Sequence, residues 1–124
     1  MRPAETQGSP PTLFEVVQRA VQVTDPSGEF GVSDLLGPVE DADEPVTAHE
    51  DIETDLAELK GRVDPQDEDP AVMMAIAVAT YVAFRRDEMS DDPADILRLA
   101  ARAEYDGNPP ENVRAWLEEQ GVEV

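Results

Sequence analysis

The stretch "AVMMAIAVATYVAF", residues 71–84, carries no charge in a chain where charge is spread almost everywhere else. It reads as a membrane span, a core helix or a face for a partner, and the fold depends on which. Length argues against the membrane. Fourteen helical residues cover about 21 Å, against about 30 Å of bilayer hydrocarbon. Six of the fourteen are alanine or threonine, which gain little in lipid. A helix that is apolar all round has no face for water, so other helices must cover it. Ala71, Ala75, Ala79 and Ala83 recur every four residues. Such a ridge of small side chains lets a neighbour approach to roughly 8 Å. Burying ten or so of these side chains contributes on the order of 10–20 kcal/mol before chain entropy is subtracted.

Working outward, Asp69 is the expected N-cap and Pro70 suits the first helical position, with the helix running to about Arg86. Upstream, "TAHE" at 47–50 has the capping-box form, predicting a helix from about Ala48 to Arg62 that Gly61 frays or ends. Ile52, Leu56, Leu59 and Val63 step by four, three and four along it. That seam is too short for a free coiled coil, so it must dock. "TLFE" is a second capping box, with Thr12 as cap and Glu15 reaching back. Leu13, Val16, Val17, Ala20 and Val21 then form one stripe. "TDPSGEFG" (24–31) and "VDPQDED" (63–69) read as breaks. "VSDLLGP" (32–38) reads as one short helical turn, with Ser33 as cap and Gly37–Pro38 as stop. Downstream, Ser90 or Asp92 starts a fourth helix with Ile96, Leu97, Ala100 and Ala103 on its apolar face. Asn108 is the expected cap of a fifth, which presents Val113, Trp116 and Leu117 and ends at Gly121.

The fold class expected is all-α: a single domain of four to five helices, residues 12–124, around a central apolar helix at about 70–86. Residues 1–11, with three prolines and a glycine, read as a flexible arm. At 124 residues, the chain buries roughly two-thirds of its unfolded surface, enough to fold without staples.

Composition narrows function. The 29 acidic and 9 basic residues give a net charge of −20, and both halves of the chain are acidic. A field of that sign repels phosphate backbones and anionic headgroups, so direct nucleic-acid or membrane binding is not expected. The absence of cysteine excludes disulfides, thiolate metal sites and a cysteine nucleophile. Lys60 is the single lysine. The arginine preference and acidity together suit a halophile, since molar salt shortens the Debye length to ~3 Å; a GC-rich bacterium or phage is the alternative. No leader pattern is visible, so a cytoplasmic location is expected.

Candidate chemistry is sparse. His49, the only histidine, sits in "HEDIE" without the second histidine of a zinc-protease motif or the paired Glu-x-x-His of a di-iron bundle. It reads as a solvated first-turn residue. "EDADE" (40–44) and "DPQDED" (64–69) lack calcium-loop spacing and suggest diffuse cation condensation. Ser9, Ser27, Ser33 and Ser90 look like arm, turn or cap residues, and the sparse glycines build no phosphate cradle. The last two helices read as an ordinary hairpin rather than a DNA reader, because "ENVRAWLEEQG" has one arginine against three glutamates. Arg85, Arg86, Arg98 and Arg102 suggest a local basic spot, paired by Asp87, Glu88 and Asp95.

The expectation is therefore a non-catalytic protein–protein interaction or assembly subunit without cofactor or metal, acting on a protein partner or on itself as a homo-oligomer. Its expected interaction surface is the seam Ile52, Leu56, Leu59 and Val63 together with the ridge Ala71, Ala75, Ala79 and Ala83. The alternative is an acidic nucleic-acid mimic that occupies a basic groove on a partner.

Overall fold

The computed structural model describes residues 11–41, 44–46, 51–66, 68–85 and 92–122. The 47–50 capping box, His49, Ser9, Ser90, Arg86, Asp87, Glu88 and residues 1–10 of the expected arm lie outside them. Among the described residues the fold is all-helical. Six helices follow in order: α1 Leu13–Thr24, α2 Leu36–Val39, α3 Ile52–Val63, α4 Pro70–Phe84, α5 Pro93–Tyr105 and α6 Glu111–Glu119. A 3-10 turn, Val32–Leu35, leads into α2.

The stretch that decides the fold is helical. The Asp69 carboxylate accepts N–H bonds from Ala71 at 3.0 Å and Val72 at 3.4 Å, and Pro70 opens the helix. Ten of the fifteen residues of α4 are buried, including all four ridge alanines. The helix has no preferred face because it needs none: α1, α3, α5 and α6 all pack against it, as does the 3-10 turn. It stops at Phe84, slightly short of the expected Arg86, with Arg85 as C-cap.

α1 begins as its sequence dictates. Glu15 N–H donates to Thr12 Oγ1 at 3.1 Å, and Thr12 N–H donates back to Glu15 Oε1 at 2.8 Å. Its stripe is buried from Leu13 to Val23. A single antiparallel bridge, Thr12 with Pro45, ties residues 44–46 to its start and seats Val46 in the core.

Several local expectations are corrected. The turn at 32–35 has left-handed Gly31 as N-cap, not Ser33, and makes no side-chain cap bond. Gly37–Pro38 does not stop the chain, which continues helically to Val39. Proline is tolerated there because the first helical turn needs no N–H partner. α3 starts at Ile52 with Asp51 as cap, its carboxylate accepting from Thr54 N–H at 3.2 Å. Gly61 lies inside α3, which ends at Val63. On α5, Ala101 is buried and Ala103 is exposed, because that helix packs on α1 as well as α4 and its apolar stripe turns accordingly. Pro110, not Asn108, is the N-cap of α6.

The C-terminal stop is as expected. Gly121, at φ 77°, takes the left-handed position that lets Val122 N–H donate to Leu117 O at 2.9 Å and Gly121 N–H to Glu118 O at 3.0 Å. This Schellman arrangement folds buried Val122 back over buried Leu117. Trp116 closes that end of the core, edge-on to Phe30 at 5.9 Å between centroids. Its buried indole N–H has no acceptor among the described residues.

Two aspartates organise the breaks. Asp25 and Asp64, the C-caps of α1 and α3, are both buried. The Asp25 carboxylate accepts N–H bonds from Phe30 at 3.2 Å and Val32 at 3.1 Å. Asp64 accepts from Glu68 and Asp69, each at 3.0 Å. Each loop thus wraps around a carboxylate that satisfies its otherwise orphaned donors.

Candidate functional site

The seam and the ridge are covered from within the chain. Ile52, Leu56 and Leu59 are buried, and Val63 is half-buried. Ala71, Ala75, Ala79 and Ala83 are buried as well. α3 packs directly on α4, so the seam docks on its own central helix.

A cleft opens at the C-terminal half of α4. α3 and α5 both pack on α4 but make little contact with each other. Between them opens a cavity of about 270 Å³, lined by Glu53 from α3, by Ala77, Thr80, Tyr81, Phe84 and Arg85, and by Ala100, Ala103 and Glu104 from α5. Its base is apolar, with Ala77 and Ala100 buried. Thr80 is polar but turned inward, donating its hydroxyl to Ile76 O at 2.9 Å. Tyr81 is half-buried. Phe84 is 61% exposed, and no other large hydrophobic side chain among the described residues is so open to water. A lone exposed ring is ordinary on a protein surface. This one is continuous with a recessed apolar floor.

The cleft carries an uneven charge. Desolvation pushes the Glu104 carboxyl above the usual carboxylate range; the negative charge of Glu53 adds to this, and Lys60 offsets part of it. The neighbouring Tyr105 phenol is pushed up to about 12 by burial and by the Glu104 charge. Holding a carboxylate on a partly desolvated flank opposite another glutamate is unfavourable in the free protein.

Other candidates resolve into structure. Arg98 Nη2 donates to Asp95 Oδ1 at 2.8 Å on the solvent side of α5, so one member of the expected basic spot is paired as anticipated. With Arg102 it lines a wide polar depression beside Ala94, Gly121 and Val122. The Asp64 and Asp69 carboxylates hold backbone N–H groups. Among the described residues no group of three or more His, Asp or Glu side chains is arranged to hold a metal ion. α5 and α6 make few contacts with each other, and each packs on α4. Among the described residues no helix is long and apolar enough to cross a membrane.

Sequence reasoning missed the cleft. Phe84 reads only as a residue toward the C-terminal end of a core helix, and Glu53 and Glu104 lie 51 positions apart, so only the packing of α3 and α5 on one helix brings them together.

No protein-family model, curated protein or solved structure matches this chain.

Proposed function

We propose that this chain is a non-catalytic interaction subunit that docks a protein partner on the cleft between α3, α4 and α5. The observation that carries the reading is Phe84: among the described residues the other large apolar side chains are buried or half-buried, while this ring stands open at the edge of an apolar recess. Exposed aromatic rings beside a well-formed recess are typical anchors of protein interfaces. At about 270 Å³ the recess falls below the roughly 300–1,000 Å³ of small-molecule sites. It suits one or two partner side chains better than a whole ligand. Self-association through this face is opposed by the −20 charge of each copy unless salt screens it. A heterologous partner is therefore favoured over a homo-oligomer.

The experiment is site-specific photo-crosslinking from position 84 in extracts of the source cells. A discrete protein adduct, competed by excess wild-type chain but not by excess Phe84→Ala chain, is expected. Scattered adducts, or adducts that both competitors suppress equally, would remove the reading.

The many exposed carboxylates support a second reading, in which the acidic surface occupies a basic groove as nucleic acid would. Such a complex releases its partner as salt rises and is indifferent to Phe84. Docking on the cleft depends on Phe84 and loses only part of its affinity as salt rises.

A further inference from the structure

We infer that the segment seated in this cleft is a basic amphipathic stretch of the partner, placing an apolar side chain against Phe84 and Tyr81 and a Lys or Arg beside Glu53 and Glu104. The inference rests on the reading of the chain as an interaction subunit and adds the chemistry of what binds.

Three observations carry it. The first is shape: the recess is small, about 270 Å³, apolar at its base and open to solvent, which admits a projecting side chain while the segment bearing it stays outside. The second is the placement of charge. Glu53 and Glu104 come from the two helices that flank α4, so the apolar floor has a carboxylate on each side. Arg85, at the C-cap of α4, is the one cation among the described lining residues, and Lys60 lies near enough to act on Glu104. The third is the state of Glu104. Burial, and after it the charge of Glu53, raises its pKa while Lys60 lowers it, so a further cation beside this carboxylate favours its ionised form. A partner ammonium or guanidinium there forms a charge-assisted hydrogen bond to a carboxylate already partly stripped of water. At longer range the −20 field draws basic segments toward the surface and rejects acidic ones. An amphipathic helix with an apolar residue and a cation three or four positions apart presents both groups on one face.

The test uses the full chain, isotopically labelled for NMR, and a defined set of synthetic helical peptides. The parent peptide carries two Leu and two Arg on one face of a neutral background; one twin replaces Leu by Ala, and another replaces Arg by Gln. The parent is expected to shift the signals of Ala77, Thr80, Tyr81, Phe84 and Ala103. Each twin is expected to bind more weakly by roughly tenfold, the effect of losing about 1.4 kcal/mol. Phe84→Ala and the Glu53→Gln/Glu104→Gln pair should weaken the parent comparably, whereas Glu118→Gln, which does not line the cleft, should not. Parent shifts scattered over the acidic surface, or affinity unchanged by Phe84→Ala, would overturn the inference in favour of diffuse charge attraction. If the Arg-free twin binds as well as the parent, the partner is apolar without being basic, and the inference fails. A competed crosslink from position 84 alongside either negative result would leave the interaction reading standing; loss of both would remove both.

Discussion

The two ends of α4 are made of similar side chains, yet one is enclosed on nearly every side and the other is open on one face. From Ala71 to Ala79 the helix is enclosed almost completely, with Met74, Ala75 and Val78 fully buried. Directly after Ala79, Thr80 and Tyr81 are half-covered and Phe84 is largely in water, while Val82 and Ala83 stay buried on the opposite side. Nothing in the local sequence changes so abruptly. The covering elements change: at the C-terminal half, α3 and α5 flank the helix without meeting over it. Apolar composition therefore sets what a helix needs, while the neighbouring helices decide how much of that need is met inside the chain.

The sharpest way to break this contrast is a charge in the enclosed part. Ala79→Asp places a carboxylate where no partner or water reaches it, at a cost of about 3–5 kcal/mol or more. Set against a typical total of about 5–15 kcal/mol, this should abolish soluble folded protein, as read by circular dichroism and recovery in the soluble fraction. A helical, monomeric Ala79→Asp variant would mean that the ridge faces water. Next in size is the entry to the helix. Asp64→Ala strands the N–H groups of Glu68 and Asp69 and should lower unfolding free energy by about 1–3 kcal/mol in urea titrations.

Titration sharpens the contrast from the open side. Tyr105 has its phenol held up to about 12 in the folded chain, against an ordinary value of 10.0. Between those values the unfolded phenol has lost its proton while the folded one keeps it, so stability should fall as pH rises through that window. Tyr105→Phe should flatten the fall in alkaline denaturation curves. Glu104 has the same sign in the acid range. Its raised pKa means that the ionised form is disfavoured in the folded chain, so the penalty is fully present above that pKa and vanishes as pH drops below the ordinary carboxylate value. Glu104→Gln should stabilise the protein slightly at neutral pH and lose that advantage on acidification. The smallest effect belongs to Phe84→Ala, within about 0.5 kcal/mol of wild type in thermal melts, because an exposed ring contributes little to the fold.

The architecture was legible in the sequence because its signals are local. The uncharged run, the Thr12–Glu15 box, Asp69 before Pro70, and Gly121 each fix a helix or its end through neighbours a few residues away. The errors fall where tertiary packing overrides such signals. Gly61 and Gly37–Pro38 looked like stops, yet helix continues through both. Ala103 and Ala101 exchanged places because α5 serves two neighbours rather than one. The buried roles of Asp25 and Asp64 left a faint trace, an Asp-Pro pair directly after an apolar helix end, which marks a break without showing that the loop closes around the carboxylate. The candidate site was the least legible part. It depends on a gap between two helices, and no spacing within either records that gap.

Because α4 is the shared wall of four separate helix pairings, the molecule has no internal seam along which to come apart. Fragments of one or two helices keep too little of that wall to persist, so melting should be all-or-none and limited proteolysis should yield either intact chain or small peptides. Native-state hydrogen exchange should show amides near Ala75 opening only with global unfolding, whereas those of the final turn before Arg85 exchange through local fraying. A partner that clamps Phe84 would then register as slowed exchange at that turn alone, giving a binding readout that requires no change of shape.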